Sequence, residues 1–278
     1  RHYEEALELE RSREDSRGIP RALRSLASSL VNLRKYARAN PLYEEALAMD
    51  RDFGNSLGEC AALRGLAKTA LHMGDLDRCA DLYTQALTSA RSVGDRHYVA
   101  NALAGLGDVA RRSNRPEEAR GLYQEGLDLC RQIGSQPGIA SALQHLADIA
   151  LDAGETDRAE ELYREALEID RRLNNKRGIA LSLAGLGAIA LERRDMNRGA
   201  QILGAAERLG GAKGAMASPD EQLWWRTRLA PAVESMGSAA CDALLEQGRA
   251  LPLEMAINLA LDPERAASTA GSLSTRTT

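Results

Sequence analysis

The sequence has little of what would mark several other classes of protein. It holds only two Trp, seven Tyr and one Phe among 278 residues, too few aromatic side chains for a typical β-sandwich or barrel. No run of about 18 apolar residues occurs, so we expect no membrane span. The formal net charge of −4 argues against non-specific nucleic-acid binding, which depends on neutralising phosphates. Ala, Leu, Arg and Glu dominate instead, and they favour helix.

Motifs for catalysis or metal binding are also missing from the sequence. The four cysteines form no CxxC pair, so a zinc ribbon or thioredoxin-type site is not encoded, and we interpret them as buried, reduced thiols of a cytoplasmic protein. The four histidines are scattered without an H-E-x-x-H motif, and neither a P-loop nor a nucleophile elbow occurs. We therefore expect no catalytic residues, no metal ligands and no cofactor, and thus a protein that is not an enzyme.

A repeat of 40 residues organises the chain from residue 1 to about residue 209. Five of the seven tyrosines share one position of this repeat, and leucines recur at three others. An arginine also recurs at one position near the end of each repeat. The series are Tyr3, Tyr43, Tyr83, Tyr123 and Tyr163; Leu7, Leu47, Leu87, Leu127 and Leu167; Leu23, Leu63, Leu103, Leu143 and Leu183; Leu26, Leu66, Leu106, Leu146 and Leu186; and Arg11, Arg51, Arg91, Arg131 and Arg171.

Each repeat is predicted to form two helices, because its leucines have helical spacing and turn residues separate the segments. Gly and Asn fall where a left-handed residue would close a helix. The recurring arginine falls in the last turns of the second helix, where we expect it to complement the helix dipole rather than to bind a ligand. The predicted array, residues 1–209, comprises a half unit at 1–14 and five helix pairs at 18–53, 57–93, 97–133, 137–173 and 177–209.

The repeat resembles the tetratricopeptide repeat, which has Leu then Gly in its first helix and Ala-x-x-x-Phe in its second. Leu106-Gly107 and Leu186-Gly187 match the first pair, and Ala119 with Tyr123 matches the second with Tyr for Phe. The long unit is similar to that of kinesin light chains and bacterial regulators. The resemblance implies an all-α right-handed superhelix of stacked helix-turn-helix repeats with a C-terminal helical cap.

Two segments match a dinucleotide-binding pattern, G-x-G-x-x-A, beginning at Gly105 and Gly185. A dinucleotide site needs a strand before the motif, whereas both segments lie inside a predicted first helix, two repeats apart. We therefore expect these glycines to serve helix packing.

The repeat register fails after Leu209. Residues 210–262 are predicted to form capping helices, because a solenoid needs its last face covered, and 263–278 are small and polar and predicted to be disordered. Trp224 and Trp225 are the only tryptophans. One of them could pack against the last repeat, or it could anchor a partner or sister domain.

A second resemblance involves the end of the array and the cap. Leu203–Leu209, which includes the sequence GAAE, together with Glu246–Ala256 is similar to the closing segment of LuxR-type and AfsR-like signal-transduction ATPases. Pro252 and Met255 depart from that pattern. In such proteins the tetratricopeptide array is the C-terminal sensor. Because the chain starts with a charged segment at Arg1 and without Met, we expect upstream domains of the same chain, in a bacterial regulator.

The tetratricopeptide resemblance also implies a binding groove lined by the first helices. We expect it to be basic towards its N-terminal end and acidic towards its C-terminal end, although a merely solvated face is the alternative. A groove of this kind would orient a peptide or protein of opposite polarity. The family's groove positions select Arg21, Arg24, Ser28, Asn32, Arg64, Lys68, His72, Asn101, Asp108, Arg111, Arg112, Ser141, Gln144, Asp148, Asp152 and Glu192, together with the apolar Leu181 and Ala188.

These observations predict a protein-interaction and sensory module at the C-terminus of a larger signalling ATPase or transcription regulator, working in the cytoplasm. A free-standing scaffold or adaptor without an ATPase domain is the alternative. In either case the partner is a protein or peptide, and no nucleic acid or membrane contact of this segment is expected.

Overall fold

The computed structural model describes residues 2–12, 16–210 and 219–261, without the side chains of 219–226 and 231. This part of the chain is helical throughout, with one 3-10 turn at Ser16–Gly18. The helices are α1 His2–Arg11, α2 Ile19–Asn32, α3 Tyr36–Asp52, α4 Ser56–Met73, α5 Leu76–Val93, α6 Arg96–Arg112, α7 Pro116–Gln132, α8 Gln136–Asp152, α9 Thr156–Arg172, α10 Lys176–Glu192, α11 Met196–Gly210, α12 Pro219–Met236, α13 Ser238–Ala250 and α14 Leu253–Leu261.

The helices group into two compact units, unit 1 at Arg1–Ser135 and unit 2 at Gln136–Thr278. In unit 1 the pairs α2/α3, α4/α5 and α6/α7 stack in chain order, and α8/α9 stacks on α10/α11 in unit 2. The first helices of neighbouring pairs contact each other, as α2 with α4 and α4 with α6. The predicted all-α class and the stacking of helix pairs are confirmed.

Turn residues define where the helices begin and end. The side chains of Asn55, Asp75 and Asp95 each accept a hydrogen bond from a backbone N–H of the following first turn, which satisfies a donor that the helix leaves open. Gly74 and Gly94 close α4 and α5 in the left-handed region, with φ of 80° and 71°. The sequence-based assignment of these turns therefore holds.

The repeat tyrosines determine how closely neighbouring helix pairs approach. In unit 1, a Cβ built on Gly105 would lie 2.2 Å from the ring of Tyr83. In unit 2, a Cβ on Gly185 would lie 2.2 Å from the ring of Tyr163. Each ring thus fills the space that a side chain on the next first helix would need. The G-x-G-x-x-A segments serve packing inside helices, as predicted.

The recurring arginines have a structural role, as predicted, but the contact differs from the predicted one. Arg11 pairs with Glu45 at 2.8 Å, and Arg91 pairs with Glu125 at 3.1 Å, each acid lying 34 residues further on. The arginine therefore ties one second helix to the next as well as lying in the last turn of its own helix.

In unit 2 the C-terminal helices α13 and α14 cover the last helix pair. Arg171 of α9 pairs with Glu254 of α14. Arg198 donates to the carbonyl oxygens of Leu259 and Ala260 at 2.9 and 2.8 Å, so it satisfies acceptors that the end of α14 leaves open. We expect from the sequence a flexible break at Gly210–Gly214, but Gly210 is the last residue of α11. The remainder of that break and the predicted tail at 263–278 lie outside the described residues.

Candidate functional site

The predicted groove residues lie on the first helix of each helix pair, in both units. We call the side of α2, α4 and α6 that carries them the unit 1 face, and the corresponding side of α8 and α10 the unit 2 face. On the unit 1 face most predicted side chains are exposed to solvent. The exposed ones are Arg21, Ser28, Asn32, Lys68, His72, Asn101, Arg111 and Arg112, whereas Arg24, Arg64 and Asp108 are half-buried.

A cavity of about 330 Å³ opens at the start of the unit 1 face. It lies between α1 and α2, and polar side chains dominate its wall. Its lining consists of Tyr3, Arg21, Arg24, Ser25, Ser28, Ser29 and Asn32. Because the guanidinium of Arg21 and several hydroxyls line it without a carboxylate, this end of the face is suited to anionic or hydrogen-bonding groups.

Arg24 is directed into the protein rather than into the groove. It forms an ion pair with Asp50, whose side chain is fully buried, and Asn55 donates to the other carboxylate oxygen at 2.6 Å. A buried carboxylate needs such partners because it has lost its hydration. Arg24 is therefore a structural residue first, and reversing its charge would place two carboxylates against each other.

Gln144 is also buried rather than exposed on the groove surface, since only 8% of it is accessible to solvent. Its Nε2 lies 2.9 Å from Asp170 Oδ2, from the carbonyl oxygen of Gly178 and from Ser182 Oγ. Asn175 donates to the other oxygen of Asp170 at 2.7 Å. Burial raises the pKa of Asp170, and these amide donors oppose the rise. The assignment of Gln144 to the groove is corrected.

Two predicted carboxylates are held by repeat tyrosines. Tyr123 donates its hydroxyl to Asp108 Oδ1 at 2.6 Å in unit 1, and Tyr163 donates to Asp148 Oδ1 at 2.5 Å in unit 2. Burial, with the nearby carboxylate, raises the pKa of both tyrosines. The hydroxyls therefore stay protonated and orient Asp108 and Asp148 at the edge of each face.

Aromatic side chains that the sequence analysis did not select accompany two of the predicted groove residues on unit 1. His72 stacks on Tyr36, with ring centroids 5.0 Å apart, and the guanidinium of Arg64 lies 6.0 Å from the ring centre of Tyr98. Arg112 donates to the carbonyl oxygen of Leu71 at 2.8 Å. These contacts hold the side chains of His72, Arg64 and Arg112 in place on the face.

Asp152 and Glu192, the predicted acidic groove residues of α8 and α10, come together on the unit 2 face. Arg228 of α12 lies between them, with Nη2 2.6 Å from Asp152 Oδ1 and Nη1 2.7 Å from Glu192 Oε1. Asp148 is half-buried and Ser141 is exposed. Sequence reasoning did not identify Arg228, because it lies outside the repeat and no periodic pattern marks it.

The described residues include no cluster of three or more His, Cys, Asp or Glu side chains able to hold a metal ion. All four cysteines are buried, and burial raises the pKa of Cys79 to about 12, which keeps its thiol protonated and unreactive. No described helix has the length and apolar character that crossing a membrane requires. The side chains of Trp224 and Trp225, predicted either to pack against the last repeat or to anchor a partner, lie outside the described residues.

Comparison with known families and structures agrees with this architecture. Residues 22–57, 58–132 and 140–172 match models of the tetratricopeptide repeat. Since these matches together span more than half of the sequence, the chain belongs to the tetratricopeptide-repeat proteins. Tetratricopeptide repeats mediate protein–protein interaction. No curated protein sequence matches the chain.

Several solved structures share the fold. BtubC from P. vanneervenii is 21% identical with a TM-score of 0.59, and the match covers 79% of this chain and 91% of that one. A Rap protein complexed with Competence and Sporulation Factor is 16% identical with a TM-score of 0.73, covering 89% and 68%. A signal transduction ATPase with numerous domains, with a tetratricopeptide-repeat sensor, from Pyrococcus horikoshii is 15% identical with a TM-score of 0.62, covering 89% and 38%.

Proposed function

We propose that the chain captures a carboxylate-rich segment of a partner protein on the unit 1 face. The observation that carries this proposal is the charge of that face. Its predicted groove residues include five cations besides Arg24, and Asp108 is the one carboxylate among them. An acidic segment would gain encounter rate and orientation from such a surface.

The geometry of the unit 1 face supports this choice of partner. The cations come from three successive first helices, so an extended segment could meet Arg21 on α2, Lys68 on α4 and Arg111 on α6. The serine and asparagine side chains around the cavity add hydrogen-bonding groups for a peptide backbone. Solenoids use surfaces of this kind, spread over several repeats, for recognition.

We further propose that the chain is the sensory part of a larger bacterial signalling ATPase or transcription regulator. The resemblance of Leu203–Leu209 and Glu246–Ala256 to the closing segment of such proteins supports this assignment. A structure of that general class, the Pyrococcus horikoshii protein with a tetratricopeptide-repeat sensor, shares the fold over 89% of this chain. Capture of the partner would then shift a two-state equilibrium of the parent protein.

The binding proposal is tested by selecting ligands from a displayed library of random 12-residue peptides on the full chain. We expect acidic peptides to be enriched. They should lose most of their affinity for an Arg21→Glu/Lys68→Glu variant, because each reversal replaces an attraction by a repulsion. Affinity for the wild-type chain should also fall as salt is raised.

The matched control is Lys35→Asp/Arg115→Asp, which changes the charge by the same amount at the turns before α3 and α7. Asp75 occupies the corresponding position before α5 and caps that helix, so the control substitutions fit their sites. Equal binding of the selected peptides to both variants would exclude the unit 1 face, as would enrichment of peptides without acidic residues.

The assignment to a larger regulator is tested by sequencing the reading frame upstream of Arg1. An upstream Walker A motif is the expected result. A start codon within one repeat of Arg1 would instead favour a free-standing scaffold or adaptor.

A further inference from the structure

On the unit 2 face the acidic site is already occupied by a segment of the same chain. Arg228 of α12 bridges Asp152 of α8 and Glu192 of α10 at 2.6 and 2.7 Å, and one fifth of its side chain remains exposed. Glu192 also accepts a hydrogen bond from Thr156 at 3.3 Å. A guanidinium shared between two carboxylates matches the fork geometry for which arginine is suited.

An apolar surface accompanies this acidic pair. Ala184 and Ala188 precede Glu192 by two turns and one turn of α10, so they lie on the same face of that helix. Both are 3% exposed or less, and α12 packs against α10. On α12, Ala232 follows Arg228 by one helical turn and is fully buried. One face of α12 therefore presents a cation and a small apolar residue to a surface that offers carboxylates and small apolar residues.

The corresponding position on the unit 1 face is different. Ser28 and Lys68 occupy the place that Ala188 has in the repeat, and both are exposed. The described helices of unit 1 include no helix seated over α2, α4 or α6 in the way that α12 is seated over α10. The two faces thus differ in chemistry as well as in coverage.

We propose that the unit 2 face is a binding site for an arginine-bearing helix with a small-residue apolar face, and that α12 is its built-in occupant. A partner helix of the same chemistry would compete with α12. The inference shares with the proposed function only the premise that first helices form the binding faces. Because it concerns unit 2, its test does not involve the unit 1 cations.

The first test measures backbone hydrogen exchange in the full chain. Arg228→Ala should raise the exchange rates of α12 about fivefold to tenfold, since two partly exposed ion pairs are lost, and should leave those of α9 unchanged. Arg177→Ala, which removes an exposed arginine from the first turn of α10, is the control and should change nothing in α12. Unchanged exchange of α12 in Arg228→Ala would overturn the proposal, because α12 would then be a fixed cap.

The second test adds α12 in trans, as a fluorescein-labelled peptide of residues 219–236 followed by anisotropy. A tethered segment competes at an effective concentration of the order of 1 mM, so the peptide should bind wild type weakly and bind Arg228→Ala about tenfold more tightly. The same peptide carrying Arg228→Ala should not show this gain. Equal affinity of the wild-type peptide for the two chains would contradict the inference.

A third variant separates release of α12 from recognition of the helix. Asp152→Asn/Glu192→Gln should raise the exchange of α12 as Arg228→Ala does, yet it should not bind the added peptide more tightly, because the carboxylates themselves are gone. Tight binding of the peptide to this variant would overturn the proposed site. Binding of acidic peptides to the unit 1 face should be unaffected by all these substitutions, so failure of one proposal is distinguishable from failure of the other.

Discussion

Glu207 of α11 accepts hydrogen bonds from both Nε and Nη2 of Arg249 of α13, at 3.0 and 2.7 Å. The two residues belong to the two halves of the closing motif, which are far apart in sequence. Next to them, a Cβ built on Gly248 would lie 2.0 Å from the carbonyl oxygen of Gln201, and one on Gly204 would lie 2.0 Å from that of Leu245. The motif therefore acts as a structural joint in which α11 and α13 meet backbone to backbone.

Gly248→Ala should destabilise unit 2, because the added methyl group meets backbone that cannot move aside. We expect a loss of about 1–3 kcal/mol, measured as a lower midpoint of chemical unfolding. Glu207→Gln should cost less, since the side chain of Glu207 is 44% exposed and water screens the ion pair.

Gly121→Ala is the control: it lies in α7 with open space around its Cβ position, and alanine there should stabilise the helix by about 0.5–1 kcal/mol. A neutral Gly248→Ala would contradict the close contact.

Arg194 is the second residue after α10 and lies in the left-handed region, with φ of 63°. Gly154 has the same place after α8, with φ of 77°. An L-residue is strained there and glycine is not. Arg194→Gly should therefore raise the stability of unit 2 by about 0.5–1 kcal/mol, after the greater freedom of glycine in the unfolded chain is subtracted. Thermal unfolding followed by circular dichroism measures this gain. Arg172→Gly, which makes the same change inside the last turn of α9, should lower the melting temperature instead.

Asp170 should make the stability of unit 2 depend on pH. Burial raises its pKa above the ordinary aspartate value of 3.8, so the folded state binds its proton more tightly than the unfolded state does. Its contribution to stability is present below pH 3.8 and is lost as the pH rises through the raised pKa. Asp170→Asn cannot titrate, so the stability difference, variant minus wild type, should increase from pH 4 to pH 7 in urea titrations. A difference that stays constant or decreases over this range would contradict the assignment.

Much of the fold is predictable from the sequence because each recurring residue makes the same packing contact in successive helix pairs. The tyrosine column marks where a ring packs against the next first helix, and Gly105 and Gly185 mark the space it needs. The left-handed turn at Arg194 was not predicted, because arginine gives no signal for that backbone conformation. The division into two units at Ser135 was not predicted either, since the 40-residue period continues through it.

The candidate site was less predictable, since repeat positions identify a helix face but not the depth of each side chain. Arg24 and Gln144 share one repeat position, and both turn inward because a buried aspartate lies 26 residues further on. A signal for this was present in the sequence: Asp50 and Asp170 occupy a position where other repeats have Ala90 and Cys130, which are apolar and buried. Arg228 gave no such signal, because the segment that holds it has no periodic partner.

The most direct test of the account is a hydrogen-exchange footprint of the full chain with its tightest selected acidic peptide. We predict slower exchange in α2, α4 and α6, without a comparable change in the second helices α3, α5 and α7. Protection confined to the second helices, or to α8 and α10 of unit 2, would contradict the assignment of the unit 1 face as the partner-binding surface.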